Sequence, residues 1–333
     1  MRIDAVIIGS LNTDIILTGF ESFPKPGEAV IAGGLEITAG GKSRNIANML
    51  ATLKGQGAGI AFIGKTVADK YGFWRLPYDS LVSAGIDVSA VQILPASETV
   101  PLPGIAVIPI DATGQNNIYL HQGIKSSFVP ADLHTDSCNH VFQAAQDNSG
   151  VVGLCSEMSV GTLAETLAIA RTLNLKTFID AGGADFDSEL REALRAGGFL
   201  IKPNEHEAEG LTGIVIKDFI SARRAADVLL EWGYEHVLIT HGAKGAYAFG
   251  AGPVERLGET YAQHIPAPTN IDVSQGDSLG CGDQTLAAVM FACLQGKTMI
   301  EAARIGVISG SLQHTHKGIV PVTPSDLAEY NQT

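Results

Sequence analysis

The chain has 333 residues, 45% hydrophobic and 17% charged, enough to bury the core of one large α/β domain with an appendage. Its formal net charge of −13, with no Lys/Arg run, speaks against nucleic acid or an anionic membrane as partner, so any phosphate it handles has to be held locally. No segment approaches about eighteen uncharged apolar residues, so no membrane span is expected.

From the N-terminus, Ala5 to Gly9 reads as a buried strand rather than part of a signal peptide, because Asp4 interrupts the apolar run. Further strands are predicted at Ile60 to Gly64, Val151 to Cys155, Thr177 to Asp180, Phe199 to Ile201 and Val237 to Thr240. Helical patterns lie between them at Asn45 to Leu53, Val160 to Leu173, Ser188 to Arg195 and Ile220 to Trp232. Strand and helix in alternation imply βαβ units. The expected fold is a doubly wound, mostly parallel sheet with helices on both faces, and ligands belong at the carboxyl ends of its strands. Two zones break the rhythm. Residues 14–38 and 105–120 carry β-rich runs, among them Val30 to Ala32, Leu35 to Thr38, Ile105 to Ile108 and Asn117 to Leu120. They predict a small antiparallel sheet on a single domain spanning residues 1–333, serving as a lid or, through its free edges, as a dimer contact. Pro77 is expected to break or kink a helix following Gly72.

Several chemistries can be tested on the residues. Cys138, Cys155, Cys281 and Cys293 have no ligand-like spacing, which fits a reducing cytoplasm. Gly40-Gly41-Lys42-Ser43 looks like the end of a P-loop, but Glu36 stands where that motif needs glycine, and no GxGxxG occurs. His206, His241, His314 and His316 lack a metal-ligand pattern; His314-x-His316 reads as surface or strand alternation. The most informative run is Gly276 to Asp283, leading into the apolar stretch Gln284 to Leu294. Glycines at 280 and 282 let successive N–H groups point at one spot, and the helix that follows adds the positive end of its dipole, so an anion is expected there. Asp283 either caps that helix or turns outward to take a proton from a hydroxyl; spacing alone leaves both open.

Seven segments in order resemble the ribokinase-like, pfkB-type family of carbohydrate kinases over essentially the whole chain. They are Gly9 to Asp14, Gly40 to Asn48, Ile63-Gly64-Lys65 with Gly85-Ile86-Asp87, His121-Gln122-Gly123, Lys202 to Glu207, Thr240 to Gly245, and Asp277 to Asp283. The resemblance implies that Asn12, Asp14, Gly40, Gly41, Lys42, Asn45 and, less directly, Glu157 bind a sugar. Short Asn and Asp side chains suit polyol recognition, whereas Asp14 alone also fits a turn and Lys42 a solvated surface. It assigns Lys202, Asn204, Thr240, Gly242 and Gly245 to the nucleotide, and Glu207 to Mg²⁺ held through water, although Asn204 and Glu207 equally form a capping box. Gly280, Cys281, Gly282 and Asp283 become an anion hole with its base, and Asp277 with the Leu279 carbonyl a site for K⁺.

The implied activity is transfer of the γ-phosphoryl group of ATP to a hydroxymethyl group of a small sugar, ribose-like by preference. A nucleoside, fructose, a sugar acid or a sugar phosphate are alternative acceptors, and a non-catalytic sugar- or nucleotide-binding protein is the alternative class. Two departures from the family pattern stand out. Cys281 replaces a smaller residue, and at a helix N-terminus its thiol is expected to have a lowered pKa and to oxidise readily. Ser43-Arg44 replaces small residues before Asn45, so Arg44 is expected either to shrink the sugar pocket or to bring charge to an anionic substrate. A homodimer through the lid is the expected assembly.

Overall fold

Ala5–Gly9 (β1) is apolar throughout and buried along its whole length, as a strand in the middle of a parallel sheet has to be. The computed structural model describes residues 2–55, 57–99, 102–183, 185–251 and 260–330. After β1 the strands are Asn12–Thr18 (β2), Gly34–Gly40 (β3), Ile60–Ala68 (β4), Asp87–Pro95 (β5), Gly104–Pro109 (β6), Tyr119–His121 (β7), Val151–Cys155 (β8), Lys176–Asp180 (β9), Gly198–Lys202 (β10), Tyr234–Thr240 (β11), Ala246–Ala251 (β12) and Thr260–Ile265 (β13). The helices are Lys42–Lys54 (α1), Arg75–Ser83 (α2), Asp136–Asp147 (α3), Val160–Thr172 (α4), Ser188–Leu194 (α5), Glu205–Thr212 (α6), Phe219–Glu231 (α7), Cys281–Leu294 (α8), Met299–Gln313 (α9) and Pro324–Tyr330 (α10).

The large sheet has the order β13-β12-β11-β10-β9-β8-β1-β4-β5. Neighbours from β11 to β5 run parallel, and only β12 and β13 are antiparallel. Alternate residues of each strand feed two cores. Val6 and Ile8 join Val152, Leu154, Ile179 and Ile201 under α3 to α7, whereas Ala5 and Ile7 join Phe62, Phe178 and Leu200 under α1, α2, α8 and α9. Each fully buried aliphatic side chain contributes about 1.5–3 kcal/mol of transfer free energy. This is the doubly wound arrangement that strand and helix alternation predicts.

The small sheet has the order β3-β2-β6-β7 and is mixed rather than antiparallel, because β2 pairs in parallel with β6. Those two strands lie far apart in sequence, so hairpin logic does not apply to them. Val30 to Ala32 and Asn117-Ile118 fall outside the strands, so the predicted β-rich zones are shorter than expected. Pro77 does not break a helix. Helix α2 starts at Arg75, which puts Pro77 in the first turn, where a missing N–H costs nothing.

Helix α8 is apolar nearly all round and sits against both α1 and α9. Its approach to α9 needs glycine. A Cβ on Gly306 would lie 2.6 Å from Val289, and one on Gly310 would press on the Thr285 side chain and lie 3.1 Å from the Cys281 carbonyl. Among the described residues no helix is long and apolar enough to cross a membrane.

Candidate active site

The carboxyl ends of β10 and β11 line one cavity with the N-terminus of α8, and the end of β9 joins them through the Asp180–Lys202 ion pair. Gly280 takes the left-handed conformation at the N-cap of that helix (φ 71°), which only glycine adopts freely, and no side chain caps the helix. The Cys281 N–H donates to the Ser278 carbonyl at a long 3.4 Å, and the helix start lies on a cavity of about 570 Å³ that Gly280, Cys281, Gly282 and Asp283 help to line. The size is that of a small-ligand pocket.

Asp283 is 3% exposed and does not cap. Its Oδ2 accepts a hydrogen bond from Asn45 Nδ2 at 2.8 Å, and its Oδ1 accepts one from Lys42 Nζ at 3.3 Å. Burial pushes its pKa up; Lys42 opposes that shift, and the neighbouring Asp180 carboxylate adds to it. A buried carboxylate of raised basicity beside uncapped N–H groups can take a proton from a hydroxyl while an anion sits next to it. Lys42, the first residue of α1, is not the solvated lysine that its loop position allows. Burial works against its charge, but Asp180, Asp283, Glu207 and Glu157 together hold its pKa well above normal. The α1 helix begins here because Gly41, at φ 95°, turns the chain where a Cβ would meet the Ser10 carbonyl at 2.7 Å.

Asn12 and Asp14 of β2 and Arg44 and Asn45 of α1 lie on the side of the small sheet, all less than a tenth exposed. Asn12 Oδ1 and Asn45 Oδ1 are buried acceptors with no protein donor, the kind of atom that a sugar hydroxyl satisfies. Gly40 lies opposite Asn12 in the ladder, and a Cβ there would overlap the Asp14 carboxylate. Arg44 folds back onto the carbonyls of Ala39 and Gly40. Burial pushes its pKa down to about 10, against the pull of Asp14 and Asp283. Glu157 accepts hydrogen bonds from the Ser10 hydroxyl and the Lys42 backbone N–H, so it braces the start of α1.

On the other side, Lys202, Asn204, Glu207, Thr240, Gly242 and Gly245 line the same cavity. Asn204 and Glu207 do form a reciprocal capping box, each accepting the other's backbone N–H at 2.8 Å. The second Glu207 oxygen points inward, since a Cβ on Gly182 would lie 2.6 Å from it. Burial, reinforced by Asp180, raises the Glu207 pKa. A buried carboxylate beside another carboxylate is a hard-oxygen environment that fits a hydrated divalent cation. Asp277 Oδ1 and Oδ2 accept the N–H groups of Leu279 and Gly318 at 2.9 and 2.8 Å, and the Leu279 carbonyl accepts from Gln313 Nε2. Those oxygens keep lone pairs that fit a monovalent cation.

Two expectations fail here. The Cys281 thiol is not activated: burial, with Asp277 and Asp283 adding to it, pushes its pKa up to about 12. Its alkylation by iodoacetamide at pH 8 is therefore expected to be about 10³-fold slower than that of a free thiol, read by mass spectrometry of the modified peptide. Of the reading of His314-x-His316 as surface or strand alternation, the strand half fails: His314 ends α9 and lines the cavity with His206, while His316 is exposed. Among the described residues no cluster of three or more His, Cys, Asp or Glu side chains is arranged for a metal.

Sequence reasoning missed Asp180, read only as the end of a strand. It is fully buried, with Oδ1 3.5 Å from Lys42 Nζ and Oδ2 2.7 Å from Lys202 Nζ. Burial alone would raise its pKa, but the two ammonium groups hold it well below the usual carboxylate range. An acid at the carboxyl end of a predicted parallel strand was the available signal.

The model of the pfkB family carbohydrate kinases matches residues 2–326. The chain belongs to the pfkB family of carbohydrate kinases. Like other members of that family it is an ATP-dependent sugar kinase. It is 29% identical to the ribokinase of Haemophilus influenzae over 325 residues, covering 98% of this chain and 96% of the relative. The mouse ribokinase is 30% identical over 288 residues, covering 86% and 80% of the two chains. A solved structure of Arabidopsis thaliana ribokinase complexed with ribose and ATP superposes with a TM-score of 0.79 at 25% identity, covering 100% of both chains. The large sheet and separate small sheet of this carbohydrate kinase are thus the ribokinase-like fold.

Proposed function

We propose that residues 1–333 act as one domain that transfers the γ-phosphoryl group of ATP to the hydroxymethyl group of a ribose-like sugar, with Asp283 as the base. The observation that carries this reading is the pairing of the buried Asp283 carboxylate, held by Asn45 and Lys42, with the N-terminus of α8, which no side chain caps, in a cavity that Lys202 and Thr240 also line. The ribokinase relatives support the choice of acceptor.

The sugar hydroxyl gives its proton to Asp283 as its oxygen bonds to the γ-phosphorus, and the bond from that phosphorus to the ADP oxygen breaks. Asn45 orients the carboxylate, and the N–H groups of Cys281, Gly282 and Asp283 with the Lys42 and Lys202 ammonium groups take up charge on the transferred phosphoryl. Asn12, Asp14 and the backbone at Gly40 and Gly41 hold the sugar, with Glu157 fixing the loop beneath it. The turn of Thr240, Gly242 and Gly245, together with Asn204, holds the nucleotide. Glu207 would hold Mg²⁺ through water; the ion, when bound, neutralises phosphate charge.

A coupled assay of ADP release over ribose, deoxyribose, fructose, nucleosides, sugar acids and sugar phosphates tests the reading. Ribose is expected to give the highest kcat/KM; a different best acceptor refutes the ribose assignment, and nucleotide binding without any turnover refutes the base. A K⁺ ion at Asp277 and Leu279 belongs to the same proposal, with lower turnover expected when choline chloride replaces KCl.

The proposed assembly is a dimer through the lid. Edge strand β3 presents Leu35 and Ile37 to solvent, 64% and 43% exposed, and β7 presents Tyr119 and Leu120. Leu35→Lys is expected to raise the dimer dissociation constant by about 100-fold or more in sedimentation equilibrium. All four cysteines are free, and a cytoplasmic setting completes the proposal.

A further inference from the structure

We propose that Asp180 is a positioning residue for phosphoryl transfer, its buried carboxylate holding the Lys42 and Lys202 ammonium groups as two ends of one clamp on the transferred phosphoryl. The proposal rests on the kinase reading of the cavity. Lys42 and Lys202 reach this point from different elements, the first turn of α1 and the end of β10, and nothing in the backbone sets their spacing. A lysine is a point charge on a flexible stem, so its aim depends on a partner. Asp180 supplies that partner to both, one carboxylate oxygen each, at 3.5 and 2.7 Å. The carboxylate is fixed in turn by the Gly182 N–H, which donates to Oδ1 at 2.8 Å. A side chain at position 182 would crowd Asp180, Lys42 and Glu207 together, which explains glycine there.

Both lysines line the cavity beside Gly282 and Asp283. Lys42 is also within 3.3 Å of Asp283 Oδ1, so the same ammonium group ties the clamp to the base. Cations fixed before the substrate arrives need no reorganisation as charge develops on the equatorial oxygens of the phosphoryl group, which is where such positioning accelerates transfer. Asp180 itself is fully buried behind the two lysines and does not line the cavity, so its effect is expected in kcat rather than in KM.

The test uses the full chain with Mg·ATP and whichever sugar of the panel turns over fastest, so that failure of the ribose assignment and failure of the Asp180 role stay separate. Asp180→Asn is expected to lower kcat by about 10²-fold or more, with KM for both substrates within about threefold. Asp180→Glu is expected to recover about tenfold of that loss. Asp180→Asn and Lys202→Met are expected to be strongly non-additive, the double variant losing little beyond the worse single one. Calorimetric titration of ATP into the metal-free variants checks that nucleotide affinity is retained. Parental kcat in Asp180→Asn, a loss confined to KM, or effects that multiply in the double variant would overturn the proposal. Should Asp180→Asn not fold, Asp180→Glu carries the test alone. There, a kcat about tenfold below the parent at unchanged KM supports the clamp, and parental kcat refutes it.

Discussion

Asp283→Asn is expected to lower kcat by about 10²- to 10⁴-fold while sugar affinity stays within about threefold, measured by coupled ADP release and by calorimetric titration of the acceptor. The amide is nearly the shape of the carboxylate. It keeps a partner for Lys42 Nζ on one side, and the Asn45 amide can turn to meet it on the other. What it loses is the capacity to accept the hydroxyl proton. Burial has raised the Asp283 pKa, so the native carboxylate is a better base than a surface aspartate; the asparagine is no base at all. A purely structural Asp283 predicts the opposite pattern, with a lower melting temperature and kcat nearly unchanged in the folded fraction. Turnover within threefold of the parent would remove it as the base.

Gly245→Ala is expected to damage both the fold and the nucleotide turn. Gly245 sits at φ 87° and ψ −123°, a region essentially closed to residues with a Cβ, and costing about 1–3 kcal/mol where such residues are forced into it. The methyl would also collide with backbone rather than with a flexible side chain, overlapping the Ile265 carbonyl and lying 2.5 Å from the Ala267 nitrogen. That backbone cannot retreat easily, because β13 is paired along its length with β12. The turn is closed by His241 N–H donating to the Gly245 carbonyl at 2.8 Å, and it carries Thr240 and Gly242 to the cavity wall. A fall in melting temperature of about 4 °C or more, with a tenfold or larger rise in the ATP dissociation constant, is therefore expected. By contrast Gly242→Ala, at φ 47° in the ordinary left-handed region and with nothing within 4 Å of its Cβ, is expected to cost about 1 kcal/mol.

The parallel core was legible because central strands buried on both faces leave continuous apolar runs. Ala5 to Gly9 and Val151 to Cys155 match the observed strands residue for residue. Strands β5 and β13 left no such run: β5 is half exposed and polar at Asp87, Ser89 and Gln92, as an edge strand is, whereas the buried run Ala246 to Phe249 of β12 was there to be read and was passed over. The small sheet was legible as β-rich but not in its pairing, since the parallel contact of β2 with β6 is a long-range event that local alternation does not record. Pro77 misled because its effect depends on which turn of the helix it occupies, and that depends on where α2 starts. The cation clamp was hidden for a related reason. Asp180, Lys42 and Lys202 lie on three elements, and only the sheet order, with β9 beside β10 and α1 across from both, brings their charges together. The Cys281 expectation failed because a helix N-terminus lowers a thiol pKa only where water or a cation stabilises the thiolate; here burial and two nearby carboxylates act the other way.

The strands of the small sheet are rooted in the large domain at one end, and β2 and β3 also rest against α2 and the segment before it. Asn12, the first residue of β2, is paired with Gly40 at the end of β3 and with Gly104 at the start of β6, so three strands of the small sheet share their root next to the start of α1. A body turned about its root moves most at its tip and least at its base. Any swing of this sheet therefore displaces Leu35 and Thr18, at the far ends of β3 and β2, by much more than Asn12 or Gly40. Under the proposed function, the groups assigned to the sugar would hold their station relative to Asp283 through such a movement, while the outer strands would travel. On that reading, access to the acceptor site and recognition within it would belong to opposite ends of the same strands.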